Sequence, residues 1–175
     1  MRIKHTGKLN ANIGKLKPFK IPEDLVLRVD TREQDPLFIN SKFEYTGKLI
    51  VQVMKLDHGD YSIKGFEDKF AIERKMMSDF YSYIGKERKR TIKKMEKFRE
   101  IIQSGGFVML AIECSEAEIM SGNMYSTLSP EVARGAINSF RMRYGVHIYY
   151  NKERRMLERA VLDSCIKFYN IMREV

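Results

Sequence analysis

The feature that most constrains the fold is a nearly continuous apolar run at residues 107–114. A strand with one face in water alternates apolar and polar residues, whereas a strand covered on both faces does not. Gly105 and Gly106 precede the run and end a segment in which apolar residues recur at helical spacing. We therefore predict a strand that follows a helix and is buried on both faces.

The other periodic segments give the order of the elements. Strands are predicted at residues 25–30, 49–56, 61–64, 69–75 and 146–150, and 61–75 is expected to form a hairpin. One helix is predicted to start between Met76 and Asp79 and to run to Ile84, and a second lies between Gly85 and Gly105. A third follows the N-cap Ser129, and its apolar face is formed by Val132, Ala136, Ile137 and Phe140. The closing helix has an apolar face formed by Leu157, Val161, Cys165, Phe168 and Met172. This order is typical of an α/β protein, with a meander of early strands that feeds a partly parallel sheet.

Composition places the chain among single globular domains, with 175 residues of which 43% are hydrophobic and 31% charged. No stretch approaches the roughly 18 apolar residues of a membrane span, and the first residues lack the apolar run of a secretory signal. We therefore expect a protein of the cytoplasm or nucleoid, or of the host cytoplasm if it is viral, that is neither membrane-bound nor secreted. Cys114 and Cys165 are the only cysteines, so a Cys/His zinc site of normal spacing is not expected.

The net charge of +9 is unevenly distributed along the chain. Residues 1–22 carry six basic residues and no acid, and residues 86–99 carry eight basic residues against two acids. These two segments hold +12, so 9 minus 12 leaves −3 for the rest of the chain. Such patches are expected where a protein contacts a polyanion, although basic surface helices are also common without one. The candidate DNA-binding residues of the second patch are Arg88, Lys89, Arg90, Lys93 and Lys94.

The residues that carry chemistry lie at the two ends of the predicted hairpin. Alternate side chains of a strand share a face, so Glu73 and Lys75 point the same way, and Asp60 at the start of the other arm can lie beside them. Two carboxylates and the backbone carbonyl of Arg74 would offer hard oxygen ligands to Mg²⁺ or Mn²⁺. With Lys75 beside the attacking water and the scissile phosphate, this set suits metal-assisted hydrolysis of a phosphodiester. Carboxylates on a surface hairpin would produce the same bare pattern by chance.

A longer pattern gives this set a context. The segments Val29-Asp30-Thr31-Arg32-Glu33, Gly59-Asp60-Tyr61 and Glu73-Arg74-Lys75 through Asp79 match V-D-x-R-E, G-D-Y and E-R-K-x-x-x-D in this order. From about Leu25 to the C-terminal helix, the chain resembles the nuclease domain of the XPF-type (XPF/Mus/Hef-like) structure-specific endonucleases, within the PD-(D/E)XK superfamily. The resemblance implies a restriction-endonuclease-like fold, in which a mixed central sheet is flanked by helices.

The resemblance also implies a role for each matched residue. Asp60 and Glu73 would be metal ligands, Lys75 would orient the water, Glu33 would approach the metal through water, and Arg32 would bind phosphate. Asp30, Arg74 and Asp79 match functional positions too, although Arg74 could equally be a structural ion-pair partner. Tyr61, Tyr81 and Tyr83 lie near the expected cleft, where they could stack on bases or pack in the core.

Two departures from the family pattern concern DNA binding. Members usually continue into helix-hairpin-helix modules, whereas this sequence is expected to comprise a basic arm (1–24) and a nuclease domain (25–175) without them. The family also tends to carry an arginine and then a glutamine in the helix after the hairpin, where an ungapped count meets Glu87 or Arg88 and then Thr91. The basic arm and the 86–99 segment are the expected substitutes.

The sequence therefore predicts a Mg²⁺-dependent endonuclease that acts on branched or junction DNA in replication, recombination or repair. We expect a homodimer that pairs through the segments 129–143 and 152–173, and no nucleotide cofactor, because no Walker-type loop is present. Two alternatives stay open: a catalytically silent DNA-binding or scaffold module, and a restriction-like or nicking enzyme that acts on duplex DNA. Cleavage of a junction compared with a linear duplex distinguishes them.

Overall fold

The computed structural model describes residues 19–38, 45–46, 48–122 and 126–174. Its strands are β1 (Phe19–Lys20), β2 (Val26–Asp30), β3 (Tyr45–Thr46), β4 (Ile50–Met54), β5 (Tyr61–Ile63), β6 (Phe70–Met76), β7 (Phe107–Glu113) and β8 (His147–Tyr150). Its helices are α1 (Met77–Ile84), α2 (Arg88–Gln103), α3 (Glu116–Ser121), α4 (Pro130–Tyr144) and α5 (Arg154–Arg173). Each predicted strand and helix is found near its expected place, and β1, β3 and α3 are additional.

The central sheet has six strands in the order β4-β2-β5-β6-β7-β8. Strand β5 runs antiparallel to both β2 and β6, which confirms the predicted hairpin, and β6, β7 and β8 run parallel to one another. The expected meander of early strands is wrong, because β4 pairs in parallel with β2 at the outer edge of the sheet. A parallel pair needs a crossover connection, so the chain must pass β2 again before it reaches β5.

Each face of the sheet has its own hydrophobic core. On one face Val108, Leu110 and Ile112 of β7 pack with residues of α1, α2 and α4. On the other face Met109 and Ala111 pack with the buried side of α5. Both faces of β7 are therefore covered, which explains why the run at 107–114 does not alternate.

The helix ends show where local sequence was informative. Helix α3 begins with a capping box in which the Ser115 side chain accepts from the Glu118 backbone and the Glu118 side chain accepts from the Ser115 backbone. Helix α4 begins at Pro130 as predicted, but the side chain of Ser129 makes no capping hydrogen bond.

The buried face of α4 differs from the prediction at one residue. Val132 was expected on this face and is instead 41% exposed. The stripe that is buried consists of Ala133, Ile137, Phe140 and Tyr144.

Among the described residues, regular structure is present before the expected boundary at Leu25. Strand β1 pairs in parallel with β3, and Ile21 is buried in the same cluster as Leu25. The remainder of the expected basic arm, residues 1–18, lies outside the described residues. None of the described helices has the length and apolar character needed to span a bilayer.

Candidate active site

The loop before β5 holds Asp60 between two strands. Its backbone N–H donates to the carbonyl of Ile72 at 2.7 Å, and its carbonyl accepts from the N–H of Asp30 at 2.9 Å. Gly59 has a φ of 71°, and a Cβ at this position would lie 2.8 Å from the carbonyl oxygen of Ile72. Only glycine tolerates both conditions, so the Gly-Asp pair fixes where the Asp60 carboxylate lies.

Strand β6 presents Glu73 and Lys75 on the face covered by α2. The Lys75 Nζ lies 2.7 Å from Glu73 Oε1, and the Lys94 Nζ, from α2, lies 2.7 and 2.9 Å from the two Glu73 oxygens. The Glu73 residue is only 1% exposed. From the other arm of the hairpin, Asp60 Oδ2 accepts from the backbone N–H of Arg74 at 2.7 Å. The structure therefore brings Asp60, Glu73 and Lys75 together as one group.

Three oxygens surround the ammonium group of Lys75. Its Nζ lies 2.7 Å from Glu73 Oε1, 2.9 Å from the Arg74 carbonyl oxygen and 4.0 Å from Asp60 Oδ2. These are the same three groups that the sequence suggested as metal ligands. In the part of the chain that the structure describes, no three Asp, Glu, His or Cys side chains cluster as metal ligands do. The candidate ligand set is therefore two carboxylates and one carbonyl.

The two carboxylates differ in their electrostatic environment. Burial raises the pKa of Asp60, and the charge of Glu73 raises it further. Burial acts in the same direction on Glu73, but the attraction of Lys75 and then of Lys94 outweighs it and lowers the pKa. For Lys75, burial acts to lower the pKa, but Glu73 and Asp60 outweigh it and raise the pKa. Glu73 is thus the fully compensated carboxylate, whereas the charge of Asp60 is only partly balanced.

Arg74 points to the opposite face of the sheet, where its side chain is 6% exposed. Its guanidinium donates to Glu33 at 3.0 Å, to Glu113 at 3.1 Å and to the backbone carbonyl of Asp35 at 3.1 Å. Arg154 at the start of α5 binds the Asp35 carboxylate at 2.8 Å. The Arg74 side chain therefore anchors the loop after β2, and Glu33, which was expected near the metal, is bound in this network.

Asp30 and Arg32 form a closed pair at the end of β2. Asp30 is 1% exposed and accepts from the backbone N–H of Leu56 at 2.6 Å and from the Arg32 Nε at 2.7 Å. Burial acts to raise the pKa of Asp30, but the hydrogen bonds from Arg32 and Leu56 outweigh it and lower the pKa to about 2. The Arg32 side chain remains 61% exposed, so its guanidinium can face a ligand while Asp30 holds it.

Two clefts meet at Lys75 and Asp79, which line both. One cleft, of about 250 Å³, is also lined by Tyr83, Arg90 and Lys94. The other, of about 380 Å³, is also lined by Arg32 and Asp60. Asp79 is exposed in the first turn of α1. An extended ligand bound at Lys75 would thus have room to continue into either cleft.

The expected DNA-binding cluster on α2 divides into two groups. Exposed on the helix are Arg88, Lys89, Arg90 and Lys93. Lys94 instead turns inward to Glu73. Thr91, which the ungapped count aligned with the expected glutamine, is 2% exposed and donates to the Tyr83 carbonyl at 2.6 Å, so it joins α2 to α1.

The sequence analysis assigned Lys94 to DNA binding and placed Tyr83 near the cleft, but it predicted neither their contacts with Glu73 and Lys75 nor any role for Glu113. The Tyr83 ring lies beneath the ammonium groups of Lys75 and Lys94, with its centroid 5.3 and 5.9 Å away. Its buried hydroxyl has no hydrogen-bond partner among the described residues. One signal could have located Lys94, because it stands three residues after Thr91 and therefore on the buried stripe of α2.

Comparison with known proteins gives a consistent result. The family model described as the ERCC4 domain matches residues 29–157. XPF from Aeropyrum pernix has a similar fold at 17% identity with a TM-score of 0.56, covering 79% of this chain and 61% of that chain. The complex of XPF from Aeropyrum pernix with DNA gives 17% identity and a TM-score of 0.58, covering 83% of this chain and 64% of that chain. No curated protein sequence shows significant similarity.

These comparisons confirm the predicted fold, a mixed six-stranded sheet flanked by helices in the restriction-endonuclease-like arrangement of the XPF nuclease domain. The expected resemblance to XPF-type nucleases is confirmed as well. The chain spans less than two thirds of the length of the solved structures that it matches.

Proposed function

The chain belongs to the ERCC4 domain family, and on this premise we propose that it is a divalent-metal-dependent DNA endonuclease. Its substrate in this proposal is branched or junction DNA, in which it hydrolyses phosphodiester bonds during replication, recombination or repair. The observation that carries the proposal is the convergence of Glu73, the Arg74 carbonyl and Asp60 on one cation, the Lys75 ammonium. The complex of XPF from Aeropyrum pernix with DNA supports the choice of DNA as ligand.

The donor set fits Mg²⁺ or Mn²⁺. Asp60, Glu73 and the Arg74 carbonyl offer only oxygen atoms, which hard divalent cations prefer. Glu33 is held by Arg74 but lines the same cleft as Asp60, from where it would contribute only through water. Burial and the charge of Glu73 raise the pKa of Asp60, so this position favours an additional positive charge. A bound divalent cation supplies Lewis acidity, which polarises a phosphate and lowers the pKa of a water molecule.

The protein's own residues position the reacting groups and stabilise charge. Lys75 stays protonated at neutral pH because Glu73 and Asp60 raise its pKa against the effect of burial. Its ammonium can therefore orient a water molecule and stabilise negative charge that develops on the phosphate. Arg74 supports this arrangement from behind, since its ion pairs with Glu33 and Glu113 fix the strand that carries Glu73 and Lys75.

The exposed cations suggest where the DNA backbone lies. Arg32 lines one of the clefts that meet at Lys75, and Arg90 lines the other. Arg88, Lys89 and Lys93 extend the basic surface along α2. Interactions of this kind with phosphates supply affinity and orientation rather than sequence specificity, which suits an enzyme that recognises the shape of its DNA substrate.

The residues expected to form the interface of the predicted homodimer are not available for it. Those residues are buried within a single chain: Ile137, Phe140, Leu157 and Val161. Phe168 packs on Phe70 with 5.0 Å between the ring centroids. Pairing of two copies therefore stays a prediction without an assigned interface, and light scattering at micromolar concentration checks it.

The experiment that tests the proposed function compares cleavage of a four-way junction, a flap and a linear duplex of equal length with Mg²⁺ or Mn²⁺ present. We expect the branched substrates to be cut preferentially, and Asp60→Asn and Glu73→Gln to abolish cleavage while the proteins remain folded. Each change removes a charged oxygen ligand with almost no change of shape. Asp57→Asn and Glu100→Gln are the matched controls, since both carboxylates are exposed.

Each alternative function has its own outcome in this experiment. Equal cleavage of duplex and junction would favour a restriction-like or nicking enzyme. DNA binding without cleavage under any metal condition would favour a silent DNA-binding or scaffold module. Unchanged cleavage by both the Asp60 and the Glu73 variants at saturating metal would overturn the assignment of the metal ligands.

A further inference from the structure

The Lys94 side chain points inward, away from the exposed basic surface formed by its sequence neighbours on α2. Lys93, beside it on α2, is exposed, whereas the Lys94 ammonium contacts both oxygens of Glu73 at 2.7 and 2.9 Å. Its side chain is 30% exposed and lines the cleft of about 250 Å³ that it shares with Tyr83 and Arg90. Lys94 therefore lies between the catalytic centre and a basic cleft.

Glu73 is bound by two ammonium groups at once. The Nζ atoms of Lys75 and Lys94 both lie 2.7 Å from its Oε1, and the residue is 1% exposed. A divalent cation that binds Glu73 needs lone pairs on this carboxylate and is repelled by both lysines at this short range. Metal binding at Glu73 therefore requires that at least one ammonium group withdraws.

The partners of the two lysines indicate which one withdraws. Besides Glu73, Lys75 donates to the Arg74 carbonyl at 2.9 Å and lies 4.0 Å from Asp60 Oδ2. In the described part of the chain, Glu73 is the only residue to which Lys94 donates a hydrogen bond. Lys94 also approaches from a helix rather than from the strand that carries Glu73, and its long side chain can swing into the adjoining cleft.

We propose that Lys94 is the exchangeable counter-ion of the catalytic centre. It neutralises Glu73 while no divalent metal is bound, gives up this carboxylate when a metal binds, and then contacts a phosphate of the DNA in the adjoining cleft. The step is an exchange of ion pairs, so no covalent bond forms or breaks. The inference rests on the proposed function, because it takes Glu73 as a metal ligand and DNA as the substrate.

The experiment compares Lys94→Met with a matched change on the same helix, Lys97→Met. Lys97 is exposed and pairs with Glu100, so its loss removes the same charge from α2 without reaching Glu73. Lys94→Arg restores the charge and serves as the rescue variant. Circular dichroism confirms that each variant is folded, and Ca²⁺ is the probe because it takes the same type of oxygen ligands.

The first readout is metal binding by calorimetry, together with thermal denaturation in EDTA and in Ca²⁺. Loss of the competing ammonium is expected to tighten Ca²⁺ binding by Lys94→Met about tenfold relative to Lys97→Met. Without metal, Glu73 in this variant keeps only one of its two cations, so the melting temperature should fall in EDTA and recover in Ca²⁺. Lys94→Arg should behave as the wild-type protein.

The second readout is the salt dependence of junction binding, measured by fluorescence anisotropy. In Ca²⁺ the slope of log K against log salt concentration should be shallower by about 0.9 for Lys94→Met than for wild type, because the variant neutralises one phosphate fewer. In EDTA the two slopes should agree, because Lys94 is then bound to Glu73.

The outcomes separate this inference from the proposed function. In one outcome the wild-type protein binds Ca²⁺ and cuts junctions in Mg²⁺, but Lys94→Met matches Lys97→Met in Ca²⁺ affinity and in the Ca²⁺-induced change of melting temperature. The inference that Lys94 exchanges its partner is then wrong, and the proposed function stands. If the wild-type protein neither binds Ca²⁺ nor cuts DNA, the proposed function fails and the inference fails with it.

Discussion

Oδ2 of Asp60 accepts a hydrogen bond from the backbone N–H of Arg74, 2.7 Å away. This bond joins the loop before β5 to the middle of β6 and aims the Asp60 carboxylate at the face that carries Glu73 and Lys75. It depends on the close approach of the two arms at Gly59, where the backbone comes within contact distance of Ile72. The geometry of the proposed catalytic centre is thus set by the backbone of the hairpin.

The first prediction concerns this close approach. Gly59→Ala introduces a side chain at a φ of 71° and 2.8 Å from the Ile72 carbonyl oxygen, which accepts the N–H of Asp60. We expect Gly59→Ala to lose about 1–3 kcal/mol in the free energy of unfolding. Its cleavage rate should fall more than that of the control variant, because Asp60 must move. Gly65→Ala is the control, since its φ of 83° is similarly strained but no atom lies within 4 Å of the added Cβ. Urea denaturation and cleavage assays check both, and equal losses in the two variants would contradict the role of the close approach.

The second prediction concerns acid stability. Because hydrogen bonds from Arg32 and Leu56 lower the pKa of Asp30 to about 2 in the folded protein, the carboxylate binds protons less readily than in the unfolded chain. Its contribution to stability, about 2 kcal/mol, is therefore present above pH about 4 and is lost as the pH falls towards 2.

Asp30→Asn isolates this contribution. We expect the variant to be less stable at pH 7 and to lose about 1 kcal/mol less than wild type between pH 7 and pH 3. Asp68→Asn, at an exposed position in the hairpin turn, is the control and should follow the wild-type curve. Urea denaturation at the two pH values measures the difference, and parallel curves for Asp30→Asn and wild type would show that Asp30 does not contribute in this way.

What the sequence could predict about the site depended on the range of the interactions. Glu73, Lys75 and Asp60 belong to one hairpin, so the alternation of side chains along a strand and a short turn suffice to place them together. The place of Lys94 depends on how α2 lies across the sheet and on the burial of Glu73. The sequence run of basic residues gave it the same character as Lys93, which is exposed.

In the fold, too, features set by local sequence were predictable and features set by distant segments were not. Hydrophobic periodicity located β2, β6 and β7 because each of these strands buries its own face or faces, and the apolar run of β4 was found in the same way. It did not place β4 at the outer edge of β2, because strand order depends on pairing between distant segments. The mostly apolar sequence of β4 also does not mark it as an edge strand, although none of its residues is buried. The two-residue strands β1 and β3 are too short to show any periodicity.

The third prediction concerns Tyr83, which lies beneath two cations but leaves its own hydroxyl without a hydrogen-bond partner among the described residues. Tyr83→Phe removes a buried polar atom that makes no hydrogen bond with any described residue, so the free energy of unfolding should stay unchanged or rise by up to about 1 kcal/mol. Tyr83→Leu removes the ring, and with it the cation–π interactions with Lys75 and Lys94, each worth about 0.5–2 kcal/mol. Thermal denaturation of both variants checks this. A loss of stability in Tyr83→Phe comparable to that in Tyr83→Leu would show that the hydroxyl has a partner after all.

The last prediction separates catalysis from binding, and it follows from where the basic residues lie. Lys75 is enclosed by Glu73, the Arg74 carbonyl and Asp60, so it is assigned to charge that develops in the transition state, and Lys75→Ala should abolish cleavage but keep most of the affinity for junction DNA.

The exposed cations of α2 should behave in the opposite way. Neutralising Lys89, Arg90 and Lys93 together removes ion pairs with phosphates in the ground state, so DNA binding should weaken. The slope of log K against log salt concentration should become shallower by about 0.9 for each phosphate that is no longer neutralised. Fluorescence anisotropy across a salt series measures the slope, and single-turnover cleavage at saturating DNA measures the chemical step. The triple variant should then cut bound DNA at close to the wild-type rate, because its three changes leave Glu73 and Lys75 untouched. A slope equal to that of wild type would remove this face of α2 from the DNA path, whereas tight binding without cleavage by the triple variant would place at least one of the three residues in the catalytic step.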